Sequence, residues 1–170
     1  MTRRLVLLRH AKAEPGRDKL PDVLRPLATN GRKQAGGVGK AFASAGLVPD
    51  LALVSTALRT RQTWELLAAG LKPAVTELQL HEELYEASVA DVLALVRAVG
   101  DGASTVLVVG HEPTMAATAA HLAGPGSDES ALAQVRVGVP TASYSILESD
   151  DDWPAWGRSM ARLLTVARPK

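Results

Sequence analysis

Cysteine is absent from the 170-residue chain, which excludes disulfides, thiolate metal centres and a cysteine nucleophile. Aromatic residues make up only 4%, so there is little surface on which bases or sugar rings could stack. Charge of one sign is equally scarce. The 19 Lys and Arg against 18 Asp and Glu give a formal net charge of +1, which argues against a nucleic-acid binder that works by bulk electrostatics. Long hydrophobic runs are missing too. The opening Met1-Thr2-Arg3-Arg4-Leu5-Val6-Leu7-Leu8-Arg9 has four apolar residues between charges, too few for a signal-peptide core, and no run approaches transmembrane length. These absences lead us to expect a cytoplasmic protein that engages neither nucleic acid nor membrane. With 46% apolar residues, the length suits one domain over residues 1–170 with a sizeable core.

What the chain does have is three short apolar runs, each ending in residues suited to phosphate chemistry. Leu5-Val6-Leu7-Leu8 leads into Arg9-His10, Leu51-Ala52-Leu53-Val54 into Ser55-Thr56 with Arg59 close behind, and Val106-Leu107-Val108-Val109 into Gly110-His111. Such runs read as strands buried on both faces, hence as a parallel sheet. Open α/β sheets bind ligands outside the carboxyl ends of their strands. Two histidines and two arginines from distant parts of the chain are therefore expected at one rim.

In chain order, Ala11 to Leu27 carries Pro15, Gly16, Pro21 and Pro26 and reads as a long loop, a length usually tied to function or mobility. Thr29 or Asn30 is expected to cap a helix running to Ala45 and closed by Gly46. Its four glycines, Gly31, Gly36, Gly37 and Gly39, weaken it by propensity and suggest close packing against the sheet. Helices are further expected over Thr56–Ala69, with Leu66, Leu67 and Ala69 buried, over Val89–Val99, from Pro113 to Leu122, and as one or two turns over Glu129–Val135. Strands are expected at Thr76–Leu80, Thr105–Val109, Ala142–Leu147 and Arg162–Ala167, the last pairing antiparallel. The alternation predicts a three-layer α/β sandwich, a mostly parallel central sheet with helices on both faces.

The rim residues define a chemistry. A guanidinium fork matches phosphate oxygens, and two arginines match a dianionic phosphoryl group in charge. Neutral imidazole attacks phosphorus, splitting one displacement into two easier ones. Flanking arginines oppose protonation and keep His10 nucleophilic near neutral pH. A metal site is the competing reading of two histidines, but zinc needs further ligands. His81 and His121 lack ligand-like spacing, and the arginines would repel a cation. No metal is expected.

Leu8-Arg9-His10-Ala11 resembles the Arg-His-Gly signature of the histidine phosphatase (phosphoglycerate-mutase-like) superfamily, with Ala11 in place of the usual glycine. Ser55 to Thr63 resembles its second motif, and Val109-Gly110-His111-Glu112-Pro113 its third. Arg25-Pro26-Leu27 with Asn30-Gly31, together with the compact length, is similar to the small phosphohistidine phosphatase branch. The resemblance implies a phosphoglycerate-mutase-like fold and no cofactor. His10 would take the phosphoryl group, while Arg9, Arg59 and His111 would bind it and stabilise the charge in transfer. It also implies a carboxylic acid for the leaving group. Glu82 fits, three positions before Tyr85, with Glu83 as rival, and Arg25 either reaches the pocket or pairs with an acidic residue.

The leading expectation is thus a phosphatase acting through a phosphohistidine on His10, its partner a phosphate-bearing substrate, most simply a phosphohistidine on a protein. A phosphatase for small phosphate esters or nucleotides is the alternative. A non-catalytic phosphate-binding module is disfavoured, because it would not need the nucleophile.

Overall fold

The computed structural model describes residues 1–71 and 76–169. Six strands, β1 (Arg3–Arg9), β2 (Leu51–Ser55), β3 (Glu77–His81), β4 (Thr105–Gly110), β5 (Tyr144–Ser149) and β6 (Arg162–Ala167), form one sheet in the order β3-β2-β4-β1-β5-β6. The neighbours β3, β2, β4 and β1 are parallel, and β5 runs antiparallel to β1 and to β6. The helices are α1 (Thr29–Ala45), α2 (Leu58–Ala68), α3 (Val89–Arg97), α4 (Thr114–Leu122) and α5 (Glu129–Val137).

The three apolar runs are central strands because both of their faces are covered. Leu5, Leu7, Leu51, Leu53, Val106 and Val108 point into one core, with α3, α4, α5, Trp153 and Trp156. Val6, Leu8, Ala52, Val54, Leu107 and Val109 point into the other, against Phe42 of α1 and Trp64 and Leu67 of α2. Period-two alternation thus builds two apolar layers around one sheet, the expected sandwich. β3 lies at the edge, with Leu78 and Leu80 about half exposed.

Several local expectations are corrected. Neither Thr29 nor Asn30 caps α1; its N-cap is Ala28, without a side-chain bond, because both hydroxyl and amide residues already lie within the helix. Gly46 does close it, in the left-handed conformation that glycine adopts without steric cost. The helix α2 begins at Leu58 rather than Thr56, and its buried face is Arg59, Thr60, Thr63, Trp64 and Leu67. Ala69 is exposed past its end and Leu66 is half-buried, since the polar threonines turn inward to bond backbone carbonyls. Two of the α1 glycines do allow close approach, but not to the sheet. A Cβ on Gly31 would lie 1.9 Å from the Lys12 carbonyl oxygen, and one on Gly39 would lie 2.4 Å from that of Leu67 in α2. Finally, β5 starts at Tyr144, because Ala142 has a positive φ of 62° that no strand residue adopts.

Candidate active site

The parallel strands deliver His10, Ser55 and His111 to one rim, directly after or at the ends of β1, β2 and β4. The rings of His10 and His111 lie 5.3 Å apart, centroid to centroid. Backbone contacts fix His10: its N–H donates to Gly110, and the carbonyls of Arg9 and His10 accept from Ala142. Its Nδ1 lies 2.7 Å from the Ala11 carbonyl oxygen. A carbonyl only accepts, so Nδ1 carries the proton and Nε2 keeps its lone pair. The Ala11 N–H in turn donates to Thr63 Oγ1, 3.0 Å away on α2.

His10 is 9% exposed. Burial above all, then Arg59, Arg9 and Arg25, pushes its pKa down to about 4, against the pull of the Ala11 hydrogen bond. The arginines thus act as expected but are secondary to desolvation. His111 is pushed down to about 3 by burial, by His10 beside it and by Arg59. Both rings are neutral at pH 7, and His111 Nε2 shares a 2.8 Å hydrogen bond with the fully buried Ser55 hydroxyl.

Arg59, on the first turn of α2, is 6% exposed. One of its terminal nitrogens donates to the Asp22 carbonyl at 2.9 Å and the other to Asp22 Oδ2 at 3.0 Å. Arg25 joins the group, its Nε 2.8 Å from Asp22 Oδ1. Of the two roles that the sequence left open, Arg25 is seen in the second: it pairs with an acid, Asp22, which also bonds Arg59. Tyr85 donates its hydroxyl to Asp22 Oδ2, packs edge-on against His111 at 5.6 Å and lies 5.8 Å beneath the Arg59 guanidinium, a cation–π distance. Arg9 donates to the Val139 carbonyl at 2.8 Å, while Glu112 accepts from the Val139 N–H at 3.1 Å. The Nε groups of Arg9 and Arg59 are buried and, among the described residues, make no hydrogen bond, which is equally true of those of Arg3 and Arg61.

Glu82 and Glu83 lie exposed on the short turn Glu82–Leu84 that follows β3. Among the described residues, no hydrogen bond ties Glu82 to His10, Arg59 or His111; Glu83 pairs with His81 at 3.4 Å. Sequence reasoning placed Ser55 at the rim without a role, and it missed Asp22 and the contacts of Tyr85. For Asp22 the only signal was the length of its loop. Among the described residues, no group of three or more His, Cys, Asp or Glu side chains is placed to hold a metal ion.

The model of the histidine phosphatase superfamily (branch 1) matches residues 5–98. An uncharacterised protein from Mycobacterium tuberculosis is 36% identical over 148 residues, 86% of this chain and 89% of that protein. The chain belongs to the histidine phosphatase superfamily. Its fold matches that of a candidate phosphohistidine phosphatase SixA from Nakamurella multipartitia, with TM-score 0.83 and 33% identity over 99% of this chain and 97% of the other. A second such candidate, from Agrobacterium tumefaciens, gives TM-score 0.82 and 30% identity over 98% of each chain. Among the described residues, this superfamily member has no helix long and apolar enough to cross a membrane.

Proposed function

We propose that this histidine phosphatase hydrolyses phosphohistidine on a protein, through a phosphohistidine of its own on His10, without a metal ion and in the cytoplasm. One observation carries the reading. His10 presents a neutral Nε2 whose lone pair is free, since its Nδ1 proton is engaged by Ala11, and it does so close to the charges of Arg59, Arg9 and Arg25. Nε2 attacks phosphorus while the bond to the leaving atom breaks and that atom keeps the electron pair; an imidazole already protonated on its distal nitrogen leaves as the neutral ring, and an alkoxide takes a proton as it leaves. Water then attacks the phosphorus opposite His10, the P–N bond breaks, and phosphate departs. Arg9, Arg59 and His111 hold the phosphoryl oxygens, and Arg25 adds positive charge at the mouth. Glu82 is the proton donor where the leaving atom is an alkoxide oxygen. The likeness to candidate phosphohistidine phosphatases supports the substrate class.

The test is a phosphatase screen in the presence of a chelator, comparing phosphohistidine peptides with sugar phosphates and nucleotides. Turnover highest on the phosphohistidine peptide is expected. Activity confined to esters or nucleotides overturns the substrate assignment, and a requirement for added metal overturns the mechanism.

A further inference from the structure

The placement of Asp22 bears on which phosphoryl carriers the site accepts, an inference that rests on the reading above. His10 is buried at the floor of the site, whereas the Asp22 side chain is 51% exposed at its mouth. In-line displacement puts the leaving group opposite the attacking Nε2, and the direction opposite the floor is the mouth. The leaving group therefore departs past Asp22.

Three donors converge on the Asp22 carboxylate: Tyr85, Arg25 and Arg59. The hydrogen bond from Tyr85, with those from the two arginines, holds its carboxyl well below the usual carboxylate range. It is an anion at every working pH. Arg9, Arg25 and Arg59 bring three positive charges, the two histidines bring none, and Asp22 removes one. What remains balances a single phosphoryl dianion. A second anionic group that lies beside Asp22 meets a fixed negative charge, while the further cations Lys12, Lys33 and Arg168 line a groove on the Arg9 side.

We propose that Asp22 is a specificity-determining residue, an anionic collar that admits phosphoryl groups carried on neutral or protonated groups such as imidazole and rejects carriers with a second phosphate or carboxylate. Discrimination here comes from a built-in repulsion rather than from an added contact. An imidazole carrier suits the collar doubly once its distal nitrogen is protonated, because that N–H is then a charged donor for the carboxylate.

The experiment measures binding, so that it stands apart from turnover. Dissociation constants of methyl phosphate and of phosphoglycolate, which adds one carboxylate, are obtained by NMR titration of the wild type, Asp22→Asn and Asp22→Glu. One partly screened charge at close range is worth on the order of tenfold. Asp22→Asn is expected to raise affinity for phosphoglycolate relative to methyl phosphate by about that factor. Asp22→Glu, which keeps the charge, should restore most of the wild-type discrimination, and added salt should erode it. A ratio that changes less than about threefold in Asp22→Asn overturns the collar, as does the absence of saturable methyl phosphate binding to the wild type. Failure of the phosphohistidine peptide to turn over, with this ratio shifted as expected, would overturn the substrate reading and leave the collar standing.

Discussion

The imidazoles of His10 and His111 face each other at 5.3 Å with their planes tilted by 56°, close enough for one phosphoryl group to touch both. If His10 is the nucleophile, His10→Ala abolishes turnover and leaves the fold intact. Rapid acid quench of the wild type on substrate, adjusted at once to alkaline pH, should show a base-stable, acid-labile phosphate on His10. Near-normal activity in the mutant removes His10 from the mechanism.

Removal of a charge-stabilising neighbour has a graded cost. Arg59→Ala and His111→Ala should each lower kcat by roughly a hundredfold or more, as losses of preorganised donors do. Steady-state kinetics on either variant checks this, and chelator should leave the wild-type rate unchanged. A loss seen in KM alone would assign these side chains to ground-state binding.

The site's pH dependence follows from its buried rings. Both histidines have folded pKa values below the unfolded 6.5, so the unfolded chain binds more protons in the interval between. Their contribution to stability is present above about pH 6.5 and is lost as pH falls toward 4 and 3. Urea midpoints should therefore drop across that window, and less so in a His10→Ala, His111→Ala double variant. The acid limb of kcat/KM should lie near pH 4 rather than near 6.5, since His10 stays neutral down to that point. A limb at 6.5 would show that His10 titrates as an exposed histidine.

Glu82 separates leaving groups. An alkoxide is strongly basic and needs a positioned acid, whereas an imidazole phosphorylated on one nitrogen and protonated on the other leaves as a neutral ring whose conjugate acid has a pKa of about 6.5. Glu82→Gln should barely change phosphohistidine hydrolysis while lowering any ester side activity by roughly a hundredfold. Glu83→Gln, whose carboxylate is paired with His81, should change neither. An untouched ester rate in Glu82→Gln would mean that another group supplies the proton.

The parts of the site that were legible in the sequence are those set by the sheet. Leu5–Leu8, Leu51–Val54 and Val106–Val109 are apolar without a break because both faces are covered, and a chain so written ends its strands where Arg9-His10, Ser55 and Gly110-His111 stand. Asp22 was not legible. It lies in a proline-interrupted loop without periodicity, and it reaches Arg59 across 37 residues of sequence. The role of Tyr85 was hidden for a related reason: its hydroxyl and ring face two other elements at once. The inward threonines of α2 misled the burial pattern, because Thr60 and Thr63 satisfy their hydroxyls on carbonyls of the preceding turn and so need no water.

Gly31 offers a test of how the nucleophile is aimed. With a Cβ there, the Lys12 carbonyl must move, and that carbonyl follows directly on Ala11, which orients His10. Gly31→Ala should lower kcat more than it lowers affinity for phosphate, read by kinetics beside NMR titration. Equal losses in both would trace the effect to general destabilisation.

The loop between His10 and α1 is tied at its neck. Ala13 bridges Leu27, Glu14 N–H donates to Pro26, Ala28 N–H to Lys12, and the Lys12 and Leu27 N–H groups to Gln34 and Gln62. Beyond that neck the loop returns to the site at Asp22, which accepts from Arg59 and Tyr85. The proposed nucleophile and the segment that would inspect the carrier are thus joined at two places, the stitched neck and the contact between Asp22 and Arg59. Residues 15–21 are expected to tolerate changes of length and identity without turning His10, provided that Asp22 keeps its hold on Arg59. Natural or engineered diversification of this enzyme has a place to act where the choice of substrate changes and the chemistry is inherited whole.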